Sequence, residues 1–246
     1  MSPFSAAFIA AVFVLAGIVK GVTGMGLPTV AIGLLGLVML PAEAAALLII
    51  PSLVTNVWQF VAGPHRLRML ARLWPMLAAI CVATWAAAGL IAGGFGGEAA
   101  AALGLALILY GLVGLANLRV AVPPRMEIFL GPLIGAITGL VTGATGVFVI
   151  PAVPYLQSLG LGKDDLVQAL GLSFTASTLA LAAGLAGHGA FHVGAAGVSS
   201  LCILPALGGM FFGQWVRARV DPLTFRRLFL IGLVVLGVDL TLRAIV

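Results

Sequence analysis

Charge is what this chain has least of. Asp, Glu, Lys and Arg make up 8% of its 246 residues, and 62% are hydrophobic. Soluble domains carry roughly 25% charged residues, so a water-soluble globule is excluded. Twelve basic residues outnumber seven acidic ones. No basic run forms a patch with interleaved aromatics, so the excess does not point to nucleic acid. Cysteine is nearly absent: Cys81 and Cys202 both lie in apolar runs and read as packing residues. Of three histidines, His188 and His192 stand four residues apart with no third or fourth metal ligand nearby, which favours interfacial histidines. There is no Gly-x-Ser-x-Gly, no His-Glu-x-x-His and no Walker loop. The expectation is therefore no enzyme, no cofactor and no metal, with any pumping driven by ion gradients or the membrane potential.

What is present is apolar length. Ten segments can be drawn, at about 3–20, 27–40, 43–62, 69–92, 98–118, 128–142, 147–158, 166–187, 191–216 and 223–246. In each half the first two are short for a full crossing and suit half-helices or a re-entrant pair. The fold class is an all-α polytopic membrane protein of eight to ten membrane segments. Eleven of the twelve basic residues fall in odd-numbered connections: Lys20; Arg66, Arg68 and Arg72; Arg119 and Arg125; Lys163; and Arg217, Arg219, Arg226 and Arg227. Arg243 is the twelfth. The even connections, around Pro41–Glu43, Gly93–Gly97, Thr142–Gly146 and Gly187–His192, hold none. By the positive-inside rule the odd connections are cytoplasmic and both termini face outward. The N-terminus lacks a basic n-region and a small-x-small cleavage site, so it is read as structure rather than signal peptide.

Two glycine-rich stretches organise this pattern. The first is Gly21-Val22-Thr23-Gly24-Met25-Gly26-Leu27-Pro28; the second is Gly139-Leu140-Val141-Thr142-Gly143-Ala144-Thr145-Gly146, with Pro151 after it. Five segments per half is an odd number, so the second half enters the membrane inverted. Gly17 and Gly21 recur as Gly135 and Gly139, Thr23-Gly24 as Thr142-Gly143, and Ser52 and Asn56 as Ser173 and Ser177. The expectation is an inverted repeat with halves 1–122 and 123–246, joined near Pro123-Pro124, each half carrying a broken or re-entrant helix pair.

Broken helices at membrane depth survive where protein or a watery cavity covers them. A helix starting after such a break aims free N–H groups and its positive dipole end at the break, which suits an anion. Two breaks facing each other would offer donors to one small anion, with Thr23, Thr142 and Thr145 adding hydroxyls. The competing reading is that these glycines only let helices pack closely, which fits Gly17-x-x-x-Gly21 and Gly135-x-x-x-Gly139 well. Ser52, Asn56 and Gln59 share a helix face, repeated by Ser173 and Ser177; they either line the site or hydrogen-bond between helices. Glu43, Glu98, Glu127, Asp164 and Asp165 lie at segment edges, which leaves no midplane acid for proton coupling. Lys20 adjoins the first break and is expected to snorkel to the cytoplasmic surface. Asp239 and Arg243 read as an i, i+4 ion pair.

At Gly17-x-x-x-Gly21-x-x-Gly24-x-Gly26-x-Pro28, its second copy Gly139-x-x-x-Gly143-x-x-Gly146 ending at Pro151, and the small polar positions at Thr55-Asn56 and Ala176-Ser177, the chain resembles the sulfite exporter TauE/SafE family of permeases. The resemblance runs from about Phe4 to Ala244. It implies an inner-membrane carrier of small sulfur-containing anions such as sulfite and organosulfonates, often moving them outward. A monoanion leaving a negative interior gains about 2.3 kcal/mol per 100 mV, so export needs no coupling ion.

The resulting expectation is a plasma-membrane permease for a small anion, working by alternating access as one half rocks on the other. Its partners are that anion and membrane lipid, and a homodimer is compatible with it. The candidate substrate-binding residues are Thr23, Gly24, Met25, Gly26, Ser52, Asn56, Thr142, Gly143, Thr145, Gly146, Ser173 and Ser177. A permease for a cation or neutral solute on the same fold, or a non-transporting membrane assembly factor, are the alternatives.

Overall fold

The computed structural model describes residues 3–93, 96–116, 121–217 and 219–245. Arg119, Met1, Ser2 and the Gly94-Phe95 part of the fourth connection lie outside the described residues. The fold of the described residues is all helix: α1 (Pro3–Thr23), α2 (Leu27–Leu35), α3 (Pro41–Val61), α4 (Arg66–Ala92), α5 (Gly96–Ala116), α6 (Pro124–Thr145), α7 (Ala152–Ser158), α8 (Lys163–Gly187), α9 (Val193–Leu201), α10 (Ile203–Arg217) and α11 (Pro222–Ile245). Seven stretches among the described residues are long and apolar enough to cross a membrane: α1, α3, α4, α5, α6, α8, and α9 with α10 taken together. The chain is a multi-pass membrane protein. Glu43, Glu98, Glu127, Asp164 and Asp165 sit in first helical turns, as their placement at segment edges predicts.

The short-pair expectation needs a correction. Helices α1 and α6 have 21 and 22 residues, and each continues through the glycines assigned to the break. Only their successors are short. At 1.5 Å per residue, α2 is about 14 Å long and α7 about 10 Å, against a hydrocarbon core of roughly 30 Å. The two short helices are half-helices, and the corners that precede them begin at Gly24 and Gly146 rather than at Gly21 and Gly139.

Both corners are built by the same local chemistry. Gly24 and Gly146 take positive φ values of 80° and 73°, and each donates its N–H to the carbonyl four residues back, Lys20 at 2.8 Å and Thr142 at 2.7 Å. This is the left-handed helix end that favours glycine. The preceding threonine finishes it. Thr23 Oγ1 donates to the Val19 carbonyl and accepts from the Met25 N–H; Thr145 Oγ1 donates to Val141 and accepts from Val147. The corners therefore pair Thr23-Gly24 with Thr145-Gly146, not with Thr142-Gly143.

Tight crossings pair the long helices. A methyl group on Gly17 would lie 2.2 Å from the Ala206 carbonyl oxygen and 2.9 Å from the Met210 nitrogen; on Gly139 it would lie 2.6 Å from the Ile80 oxygen and 2.9 Å from the Thr84 nitrogen. One turn on, Gly21 meets the Met210 oxygen and Gly213 as Gly143 meets the Thr84 oxygen and Ala87. The α1–α10 and α6–α4 crossings thus use the same atoms, matching Gly17 to Gly139 and Gly21 to Gly143. Helix α3 packs against α8, α4 also packs against α8, and α5 runs along α11. Helix α1 lies on α10 and α6 on α4, so the stretches before and after Pro123-Pro124 interleave.

Prolines inside helices leave carbonyls without donors. In α3, Pro51 frees the Leu47 carbonyl. Ser199 Oγ donates to it at 2.7 Å and accepts the Ile50 N–H at 3.1 Å, tying α9 to the bend. Arg72 on α4 makes a two-pronged pair with Glu127 on α6, at 2.8 and 2.6 Å. Asp239 and Arg243 form the expected i, i+4 pair at 2.8 Å.

Candidate functional site

The C-terminal half of α3 runs antiparallel to the start of α8. Gln168 Nε2 donates to the Phe60 carbonyl, its Oε1 accepts the His65 N–H, and Gly171 lies against Asn56 and Phe60. Continuing that register brings Ser173 level with Asn56 and Ser177 level with Ser52. All four are fully buried. Ser52 Oγ, Asn56 Nδ2, Ser173 Oγ and Ser177 Oγ have no hydrogen-bond partner among the described residues. Their neighbours behave differently: the Thr55, Thr175 and Thr178 hydroxyls each donate back to the carbonyl four residues earlier. A buried polar atom without a partner is costly, by about 1–3 kcal/mol. The α3–α8 contact is therefore a polar core whose serines and Asn56 amide hold free donors.

Lys20 borders this core and overturns the snorkelling expectation. It is 4% exposed. Its Nζ donates to Thr55 Oγ1 at 3.1 Å and to Asn56 Oδ1. The reason is geometric: α1 continues to Thr23, so Lys20 sits in the helix's last turn facing α3 instead of in an exposed connection.

Above Lys20 an open cavity of about 500 Å³ is lined by Gly24, Thr55, Gln59 and Gln214, with Asp164 and Arg217 towards its rim. Its other walls come from Gly21, Trp58, Val167 and Met210 of the helices and from Ala62-Gly63-Pro64 of the third connection. Gln59 Nε2 anchors the first corner, donating to the Gly24 carbonyl at 2.9 Å and to Val167 at 3.1 Å. A second cavity of about 730 Å³ is walled chiefly by apolar side chains; Met25, Pro151, Tyr110 and Arg226 line it, together with Val122 and Gly160 of other odd connections.

The predicted site residues thus separate into groups. Ser52, Asn56, Ser173 and Ser177 come together. Gly24 lines the first cavity and Met25 the second, while Gly26 is packed against Val19 and Phe229. Thr23, Thr142 and Thr145 donate their hydroxyls to backbone carbonyls at 2.7–2.8 Å. Gly143 faces α4 at a helix crossing, not a cavity. Gly146 is buried against Ile32, Ala45 and Ile91, followed by the buried run Val147-Phe148-Val149-Ile150, with Phe148 packed on Phe174 at 5.2 Å. The two corners do not face each other across one ligand, because each first helix runs its full length before turning. Residues missed from sequence are Ser199, Gln168 and the buried setting of Lys20. The first two carried no spacing signal, whereas Lys20 stands three residues before a Thr-Gly helix end.

A bundle of membrane-length helices with two half-helices, a buried polar core and a cavity beside it is the architecture of a membrane transporter. The chain belongs to the Sulfite exporter TauE/SafE family, which matches residues 9–240. It is a membrane transporter of that family. Comparison with curated proteins and with solved structures returns no match.

Proposed function

We propose that the protein is a secondary permease exporting a small sulfur oxyanion or sulfonate through the α3–α8 polar core by alternating access. The observation that carries this reading is the set of buried, unpartnered donors on Ser52, Asn56, Ser173 and Ser177, joined to the lining of the first cavity through the Lys20–Asn56 bond. These groups suit an acceptor-rich solute, and a volume of about 500 Å³ lies within the roughly 300–1,000 Å³ of small-ligand sites. The matched crossings of α1–α10 and α6–α4 and the matched Thr-Gly corners support an inverted repeat of 1–122 and 123–246. Helix α11 runs beside α5 from Gly114–Leu230 to Gly97–Ala244, and so has the reach of an eighth crossing.

Both cavities open at the end carrying the basic connections, which the positive-inside rule assigns to the cytoplasm of the inner membrane, with both termini outside. At the opposite end the second corner is sealed by Ile32, Ala45, Ile91 and Phe148. This is an inward-facing arrangement. Because the halves interleave, the moving bodies are the α1–α10 and α4–α6 pairs shifting past α3 and α8, in place of one half rocking on the other. Proteoliposomes loaded with unlabelled sulfite should accumulate external ³⁵S-sulfite by counterflow. Uptake no faster than in protein-free vesicles, for sulfite and for methanesulfonate alike, would reject the reading.

A further inference from the structure

Lys20 is a buried basic side chain without a buried anion beside it. Its two partners, Thr55 and Asn56, are neutral. No carboxylate among the described residues pairs with it: the ion pairs there are His65–Asp165, Arg72–Glu127 and Arg243–Asp239. Asp164 and Arg217 line the same cavity, but both are exposed and neither forms an ion pair with Lys20. Charges taken out of water are found paired or facing a polar pathway. Lys20 also occupies a junction: it lines the first cavity, and it is bonded to Asn56 of the polar core. Any solute passing from cavity to core meets this ammonium. Neutral Thr142 stands at the corresponding turn of α6, four residues before Gly146 as Lys20 is before Gly24, so the second corner has no counterpart of Lys20 at that turn.

We propose that the Lys20 ammonium is the counter-charge of the carried anion, and that Thr55 and the Asn56 carbonyl oxygen hold it when no anion is bound. This rests on the small-anion reading above. On arrival the anion takes over the Lys20 N–H donors, and the freed Asn56 side chain can turn its Nδ2 donors to the same anion. A single lysine then supplies the selectivity for negative charge that backbone amides alone would give weakly.

The test uses the full-length purified protein, with sulfite and methanesulfonate as probes, and reads ligand-dependent thermal shift alongside counterflow. Lys20→Arg should keep binding within a few-fold. Lys20→Met should weaken it at least tenfold. Asn56→Asp, which sets a carboxylate against Lys20 as a built-in competitor, should weaken it to a similar degree while eluting as a monodisperse folded protein. If Lys20→Met fails to fold, the Asn56→Asp comparison decides. Wild-type affinity in either neutralised variant overturns the role of Lys20 and leaves the carrier reading standing. Wild-type protein that neither binds nor moves either probe overturns both.

Discussion

Ser199 closes a gap that Pro51 opens in α3, and deleting its hydroxyl should expose the cost. The side chain is fully buried and bridges the Leu47 carbonyl and the Ile50 N–H. Ser199→Ala leaves the Leu47 carbonyl, which Pro51 cannot serve, without a donor and removes an acceptor from the Ile50 N–H. Single hydrogen bonds inside membrane proteins average about 0.6 kcal/mol and reach about 1.7. Two bonds lost together, one of them leaving the Leu47 carbonyl a buried orphan, should cost about 2 kcal/mol. Pro51→Ala restores an N–H four residues beyond Leu47 and so returns a helical donor to that carbonyl. The double variant should therefore be more stable than the two single losses predict, by about 1 kcal/mol. Equilibrium unfolding in mixed micelles titrated with SDS, run on all four proteins of the cycle, measures this coupling. Ser199→Ala at wild-type stability, or a cycle additive within about 0.5 kcal/mol, would refute the assignment.

Gly17→Ala and Gly139→Ala should destabilise to a similar extent, by about 1–3 kcal/mol, because each methyl meets a carbonyl oxygen at equivalent atoms; the same unfolding assay compares them. Gly143→Val should reduce the yield of monodisperse protein, where a cavity-lining glycine would lose only flux. Arg72→Lys should lower stability by about 1 kcal/mol, since lysine cannot reproduce the two-pronged grip on Glu127, and Glu127→Ala should add little to it in a double-variant comparison. In a background lacking Cys81 and Cys202, Ala62→Cys, at an exposed position lining the first cavity, should react with a membrane-impermeant maleimide from the face carrying the basic connections. Phe148→Cys should stay protected from both faces; labelling of Phe148→Cys as fast as Ala62→Cys would contradict the inward-facing arrangement.

The legible parts of this molecule were those written in local composition. Apolar length announced the spans, and basic residues marked one set of connections. Thr-Gly marked both corners, because a left-handed helix end asks for glycine wherever it occurs. What sequence spacing misplaced was depth. Counting from Gly21 and Gly139 put the breaks three to seven residues early and matched Thr23 to Thr142, since a glycine within a helix and a glycine ending one look alike in one dimension. Their difference lies in the partner: Gly21 and Gly143 have a carbonyl of another helix against them, whereas Gly24 and Gly146 have a positive φ. The polar stripe Ser52-Asn56 and its copy Ser173-Ser177 were readable from period alone. Lys20 was not, because its burial follows from where α1 ends and what α3 presents to it. Ser199 was invisible for a similar reason: its purpose is set by a proline 148 residues earlier.

The interleaving of the two halves has a consequence for how this chain can be cut. Separated at Pro123-Pro124, neither fragment could cover its own opening helix: the glycine seam of α1 would lack α10, and that of α6 would lack α4. The fragments would have to find each other in the bilayer, clasping as two subunits do, and the covalent tether does little more than keep them within reach. What serves as the interior of a single polypeptide is, in physical terms, the contact surface of a dimer that never dissociates.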